Sequence, residues 1–551
     1  MGIIARQSIK GTIVTYIGVF VGFITTFFVL TRFLSAEEIG LVRVLTDTAV
    51  LFVGLAGLGT TTSTVRFFPY FKQSKVAGEN DTEAKAISEP VENVSERLVV
   101  ENVSERLVVE NVSERLVVEN VSERSDPHAS NSRRNSYNGF FFWTVSIPFI
   151  GFLIFTIIYW ALHIPLQNIF AEKSPLFVDY YYFVLPLAFF MLYQTIFETN
   201  ANVLMRIVVP KMVRELWIRV FLLVSYLLYA FRYISLDGLI IMICGSYGLA
   251  ALANIIYVFA YGHISLRPDF SFPDRTLVRK YLFYTLFLIL SAVATVITPT
   301  LSSYFITAQM GLDSTGVFAI ATYMAAMVAI PFRSLNAIAN PQVAQTIKDN
   351  DNQSLSTLIK QVSNNGFLVG TLILALIWTN IDFIFHILPN GETYEVGKYV
   401  VLLLGISQLN IATFNINASV LNYSSYYYLS LILSFILTVL SLILNNFLIP
   451  IWGINGAALA SVLSYSIYYG LLCLITRILC HVSVFSTGHL KTLAVILTLT
   501  ALCYAVDLIN INIFAATAVK ISIWCLTIPV IIRLNISPEM NNTLKTLFRK
   551  R

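Results

Sequence analysis

Charged residues inside long apolar runs are the ones in this chain best placed to do chemistry, because a charge near the middle of a bilayer costs about 2.5–3.5 kcal/mol on an insertion scale. Arg43 and Asp47 sit four apart, on one face of a helix, and so can neutralise each other. Turned toward a neighbouring helix they form a structural ion pair. Turned toward a cavity, Arg43 meets an anionic substrate and Asp47 can accept a proton. Arg66 and Arg333 occur in Arg66-Phe-Phe-Pro69 and Pro331-Phe-Arg333, each toward the end of an apolar run. A guanidinium holds a diphosphate through bidentate, charge-assisted hydrogen bonds, and it also snorkels to a lipid interface. Arg32 ends the first run, where it can meet an anion or anchor the surface.

Uncharged polar residues add a second chemistry. Glu198 lies among Gln194, Asn200, Asn202 and Arg206, while Ser334, Asn336 and Asn340 follow Arg333. Asn410, Asn415, Asn417 and Asn422 line a later run. Amides and carboxylates can hydrogen-bond sugar hydroxyls, and they equally bond helix to helix. Asp382 and His386, again four apart, could relay a proton but fall near a span end. Tyr180-Tyr-Tyr-Phe183 and Tyr426-Tyr-Tyr428 read as interfacial belts. Gly18/Gly22 and Gly366/Gly370 read as close helix contacts. The five cysteines have no metal-ligand spacing and read as packing residues. No metal or cofactor is expected.

The elements that must position these residues follow from composition. The chain has 551 residues, 56% hydrophobic and 12% charged, against roughly a quarter charged in soluble domains. Apolar runs long enough to cross about 30 Å of hydrocarbon lie near 11–34, 40–68, 138–163, 178–204, 215–234, 238–262, 281–310, 315–340, 362–388, 397–422, 427–450, 454–476, 490–509 and 512–532. Such runs exclude an outer-membrane barrel, and 13% aromatics exclude disorder throughout. With the N-terminus inside, eighteen Lys/Arg fall in inner connections, against Lys173, Arg232 and Lys398 outside. That asymmetry predicts both termini in the cytoplasm.

Residues 69–136 are of a different kind. They hold 9 Lys/Arg and 13 Asp/Glu, which leaves 27 and 18 elsewhere, so the formal net charge of +5 combines an insert of −4 with a membrane body of +9. Within the insert, Glu92-Asn-Val-Ser-Glu-Arg-Leu-Val-Val100 recurs unchanged at 101–109 and 110–118 and is cut short at Arg124. Identical nonapeptides point to recent tandem duplication, and a period of nine fits no helical seam. The segment is expected to be a disordered, dispensable cytoplasmic insert, a partner-binding arm being the alternative. Its Asn-Val-Ser sequons, at Asn93, Asn102, Asn111 and Asn120, lie on the wrong side for glycosylation.

The membrane body repeats on a longer scale. Ala36-Glu-Glu-Ile-Gly-Leu-Val42 corresponds to Leu312-Asp-Ser-Thr-Gly-Val-Phe318, each opening a run that ends in the Pro- and Arg-bearing segments above. Six-helix halves of like orientation would be parallel repeats enclosing a midplane cavity. With Leu34-Ser-Ala-Glu-Glu-Ile-Gly-Leu41, its echo around Gly316, and Pro450-Ile-Trp-Gly-Ile-Asn-Gly-Ala-Ala-Leu-Ala460, the chain outside 69–136 resembles the polysaccharide transporter, O-antigen flippase-like branch of the multidrug/oligosaccharidyl-lipid/polysaccharide exporter superfamily. The resemblance implies a two-lobed transporter that moves undecaprenyl-diphosphate-linked oligosaccharide from the cytoplasmic to the periplasmic leaflet of a bacterial inner membrane by alternating access, for surface polysaccharide synthesis. It also implies membrane lipids and polysaccharide polymerase machinery as partners, and no nucleic acid.

The expected architecture is an all-α polytopic membrane protein of about fourteen transmembrane helices. Residues 1–262 form an N-terminal six-helix lobe carrying the insert, 263–476 a C-terminal six-helix lobe, 477–533 two extra helices and 534–551 a basic cytoplasmic tail. The expected substrate-binding residues are Arg66, Arg333, Arg43, Asp47, Arg32, Glu198, Asn336 and Asn340. Two rival readings differ in class. A cation-coupled multidrug exporter needs embedded acids to bind cations, whereas this membrane body is net basic. A membrane-embedded polymerase or glycosyltransferase needs large external loops, which the spacing does not allow, although Glu37-Glu38 could be proposed as its catalytic pair. A Walker A loop is absent: Gly391 to Lys398 has the wrong spacing and Tyr399 after the lysine.

Overall fold

The computed structural model describes residues 3–61, 63–64, 68, 139–204, 206, 208–262, 297–298, 300–349, 351–509 and 512–534. The 69–136 insert, Arg66 and the tail beyond 534 lie outside the described residues. Among the described residues there is helix and no strand. In chain order the principal helices are α1 (Ile3–Ile24), α2 (Ala36–Ala56), α3 (Phe140–Ala161), α4 (Val184–Val203), α5 (Ile218–Ala230) and α6 (Leu236–Gly262). These are followed by α7 (Leu312–Ala326), α8 (Ile330–Lys348), α9 (Asn352–Thr379), α10 (Lys398–Phe414), α11 (Ile416–Tyr423), α12 (Tyr427–Leu479), α13 (Thr487–Asp507), α14 (Ile513–Cys525) and α15 (Thr527–Leu534).

Among the described residues, ten helical stretches are individually long and apolar enough to cross a bilayer, and α10 with α11, bent by 44°, makes an eleventh if the pair is one span. A straight α12, with its 53 residues, would run about 80 Å, more than twice the hydrocarbon thickness. It reverses instead: Gly453 has φ 57° and ψ −135°, and a Cβ on Gly456 would lie 2.1 Å from the Leu448 carbonyl oxygen. The Pro450–Ala460 motif is therefore a tight hairpin between two antiparallel spans, and only glycine fits its turn. Helix also fills 208–230 and 300–310, so each of the fourteen apolar runs carries helix and the all-α polytopic fold stands.

Local chemistry sets the helix ends. At α2, the Ser35 hydroxyl accepts the Glu38 N–H and the Glu38 carboxylate accepts the Ser35 N–H, a complete capping box. At α9, Asp351 accepts from Gln353 and Ser354. The eighth run breaks at Pro331, which lacks an N–H to continue the ladder, and a 3₁₀ turn at Met327–Ala329 fills the join between α7 and α8. Threonine hydroxyls inside the helices bond back to carbonyls four residues earlier, as Thr25, Thr48 and Thr413 do, so few polar groups face lipid unsatisfied. Outward faces are apolar, with Phe20, Ile157, Phe435 and Phe447 each more than 60% exposed.

The repeat read from the sequence is a contact in space. Packing between α2 and α7 is the most extensive of any helix pair among the described residues. A Cβ added at Gly40 would lie 2.0 Å from the Leu312 carbonyl oxygen, and one at Gly316 would lie 1.9 Å from the Ala36 carbonyl oxygen. The numbers are reciprocal: the glycine of each copy of the motif meets the first residue of the other. Nearby, Ser174 Oγ donates to the Thr307 carbonyl at 2.7 Å and Asn390 Nδ2 to the Thr31 carbonyl at 2.8 Å. Gly311, at φ +95°, rests on the Lys173 carbonyl. One end of the bundle is thus closed by several bonds between the first and second halves of the chain.

Candidate functional site

Going down from the closed end, Arg43 follows Gly40 by one turn of α2. Its Nε pairs with Asp47 Oδ2 at 2.8 Å, and both side chains are largely shielded. The guanidinium also lies over the Tyr323 ring of α7 at 5.6 Å, so a residue from each half contributes to one cluster. On the next turn Tyr304 donates to Thr48 Oγ1 at 2.7 Å.

Farther from the closed end, a network of charges runs through α4 and the segment before α5. Buried Glu198 accepts from Gln194 Nε2 at 3.1 Å and pairs with Arg214 Nη1 at 2.7 Å. Arg214 Nη2 also reaches Glu215 Oε1 at 3.1 Å, and Arg219 Nη2 reaches Glu215 Oε2 at 3.2 Å. A π-helical turn at Val213–Trp217 carries Arg214 and Glu215 and leads into α5. Such a turn re-phases the side chains on either side of it and often marks a functional site. The Gly18/Gly22 pair of α1 packs on this turn: a Cβ at Gly18 would lie 2.0 Å from the Glu215 carbonyl oxygen, and one at Gly22 would lie 3.1 Å from Arg219 Nη1. Small residues there let α1 press close enough to hold the arginine.

Arg333, at the start of α8, is exposed. It makes no hydrogen bond or ion pair among the described residues, yet it lies near enough to Arg219 to repel it electrostatically. Two like charges, one from each half of the chain, therefore lie within electrostatic range of each other, Arg333 being roughly 25 Å along the helix from Gly316. Asn336 is partly buried with its side-chain oxygen unpartnered, and Asn340 accepts from Ser419 at 2.8 Å. Arg32 is exposed and packs over Phe33 at 5.5 Å, at the closed end and away from the network.

The structure thus places Arg43 with Asp47, Glu198 with Arg214, Glu215 with Arg214 and Arg219, and Arg333 within electrostatic range of Arg219. Arg32 and Asn340 stand apart from these clusters. Other polar residues hold helices together. Asn410 bonds Ser466, Asn415 bonds Tyr469 and Asn417 bonds Thr476, tying α10 and α11 to α12. Asp382 pairs with Lys398 rather than with His386, whose ring meets Phe514. Glu38, besides closing its capping box, accepts from the Tyr229 hydroxyl. Arg214 and Arg219 were missed from the sequence, although Glu215 and Arg219 have the same four-residue spacing that marks Arg43 and Asp47. Lys520 was missed too. It is buried in α14, pairs with Asp507 at 2.6 Å and donates to the Thr379 carbonyl at 2.8 Å. Among the described residues, no group of three or more His, Cys, Asp or Glu could hold a metal.

No protein-family profile matches the chain, and no curated protein sequence does either. Solved structures do match. The lipid II flippase MurJ, in an inward closed conformation, superposes with a TM-score of 0.54 at 14% identity, covering 91% of this chain and 98% of the other. An inward-facing multidrug resistance MATE family transporter of the MOP superfamily gives 0.53 at 14% identity, covering 87% and 94%. A MOP superfamily transporter from Pyrococcus furiosus gives 0.52 at 11% identity, covering 86% and 95%. At such identities the likeness is one of architecture, and it extends over nearly the whole of each chain. This chain has the fold of the MOP-superfamily transporters.

Proposed function

We propose that this protein is a flippase that carries an undecaprenyl-diphosphate-linked oligosaccharide from the cytoplasmic to the periplasmic leaflet by alternating access, without catalysing a covalent reaction. In this reading two six-helix lobes, 1–262 and 263–476, meet at the Gly40–Gly316 crossing. That crossing is the periplasmic closure, and the arginine cluster opens toward the cytoplasm. The observation that carries the proposal is that Arg219 and Arg333, from opposite halves, lie within electrostatic range of each other, with Arg333 lacking a carboxylate among the described residues. Arg219 has Glu215 as its counter-ion but Arg333 has none among the described residues, so the excess positive charge stores repulsion that a multiply charged anion relieves. A diphosphate head also suits the bidentate geometry of guanidinium groups. The named functions of the structural neighbours, a lipid II flippase and multidrug transporters, leave both a lipid-linked and a drug cargo open. The geometry favours the first, because the embedded acids Asp47 and Glu198 are each held by an arginine and so do not offer a ready cation site.

Replacing Arg333 with Gln should lower translocation of the lipid-linked oligosaccharide at least tenfold at normal expression, roughly the value of one charged hydrogen bond. Leaflet-specific labelling of the glycan in vesicles measures this, and transport at the wild-type rate would remove Arg333 from the site. Deleting 92–124, which removes the repeated nonapeptides and nothing else, is expected to leave the rate unchanged. A defect there would assign the insert a partner.

A further inference from the structure

We propose that Glu198 and Glu215 act as built-in competitors for the anion, occupying the donor edges of Arg214 and Arg219 until a substrate with two linked phosphate groups displaces them. The inference rests on the reading of Arg219 and Arg333 as a diphosphate site and adds how that site selects and releases its ligand. Carboxylate and phosphate oxygens present the same acceptor edge to a guanidinium, so the bonds drawn from Arg214 and Arg219 to the two acids are the bonds a diphosphate would take over. The exposures favour exchange. Glu198 is withdrawn, its side chain 9% exposed and also tied to Gln194, whereas the Arg214 side chain is 47% exposed. The anion can thus approach the arginine from the open side while the acid stays behind it.

Counting charges shows what the arrangement discriminates. Among the described residues, Arg214 and Arg219 pair with Glu198 and Glu215, and Arg333, within electrostatic range of Arg219, adds a single uncompensated positive charge. Any anion can visit Arg333. Only one with enough charge and enough oxygen atoms can also replace carboxylates at the other two arginines, because each exchange breaks a charge-assisted bond before forming another. A monophosphate gains one partner, whereas a diphosphate reaches two or three. Competition also limits affinity, which a carrier needs in order to let go. The titratable groups facing Glu198 among the described residues are Arg214 and Glu215, both from the π-helical segment. From α6, uncharged Asn254 donates to the Gln194 carbonyl, one turn from Glu198.

The test compares binding of inorganic pyrophosphate and of orthophosphate to the full-length protein in lipid nanodiscs by calorimetry. Wild type is expected to prefer pyrophosphate. Glu198→Gln should tighten both ligands by about tenfold and narrow the preference, because the arginine no longer has a charged occupant. Glu215→Gln should act in the same direction, and it carries the test if the first variant does not fold. Should both variants weaken pyrophosphate binding, or leave it unchanged, while Arg333→Gln still weakens it, the acids merely position the arginines and the competitor role is overturned, with the diphosphate site intact. If wild type binds no pyrophosphate and Arg333→Gln changes nothing, the site itself falls and the competitor role with it.

Discussion

Gly40→Ala is expected to force the closed end apart and to lower transport by one to two orders of magnitude, although the substitution adds one methyl group. That methyl would sit 2.0 Å from the Leu312 carbonyl oxygen, far inside van der Waals contact, and its neighbour is backbone, which cannot rotate away. Relief requires α2 and α7 to separate along their most extensive packing surface. Overpacking of this kind costs about 1–3 kcal/mol, enough to shift a two-state equilibrium by roughly 5- to 150-fold. Because the contact is reciprocal, Gly316→Ala should do the same to the same degree, through the Ala36 carbonyl. Spin labels at Phe33 and Glu392, beside the Asn390-to-Thr31 bond, would report longer distances in either variant. Unchanged distances together with normal transport would show that the crossing does not hold this end shut.

Asp507→Asn is expected to destabilise the protein far more than its half-exposed position suggests. Its partner Lys520 is 8% exposed, and the ammonium has two described partners, Asp507 and the Thr379 carbonyl. Trp524 completes the join by donating to Thr379 Oγ1 at 3.0 Å. Loss of one member of a buried pair leaves an uncompensated charge, worth about 3–5 kcal/mol when both are fully buried. With Asp507 45% exposed, roughly 2 kcal/mol is the expected loss of stability. Combining Asp507→Asn with Lys520→Met removes the stranded charge and should recover most of that loss in thermal unfolding of the purified protein. A double variant no more stable than the single one would place the effect elsewhere.

Much of the architecture could be read in advance because membrane helices announce themselves by length and apolarity. The echo of Ala36–Val42 at Leu312–Phe318 was visible as well, but the sequence carries no sign that the two copies touch. At the site, spacing within a helix was informative and contact between helices was not. Arg43 with Asp47 followed from four-residue periodicity, and Glu215 with Arg219 could have followed from the same rule. The link from Arg214 to Glu198 joins two helices through a π-helical turn and has no local signature. Asp382 shows the limit of the rule: His386 stands at the correct spacing, yet Lys398 supplies the charge. For Lys520 the signal was present, a lone lysine within the last apolar run, and its carboxylate partner stood at the end of the run before.

The reciprocity of Gly40 and Gly316 has a meaning beyond closure. A patch that meets its own copy across an approximate two-fold axis has the logic of a homodimer interface, except that here the two protomers are joined in one polypeptide. Each copy of the motif thus serves as both donor and receiver of the close approach, so neither half holds the contact alone. Around that shared contact the two halves differ, the first carrying Arg43 and Asp47 and the second Tyr323, while the glycines hold the two together.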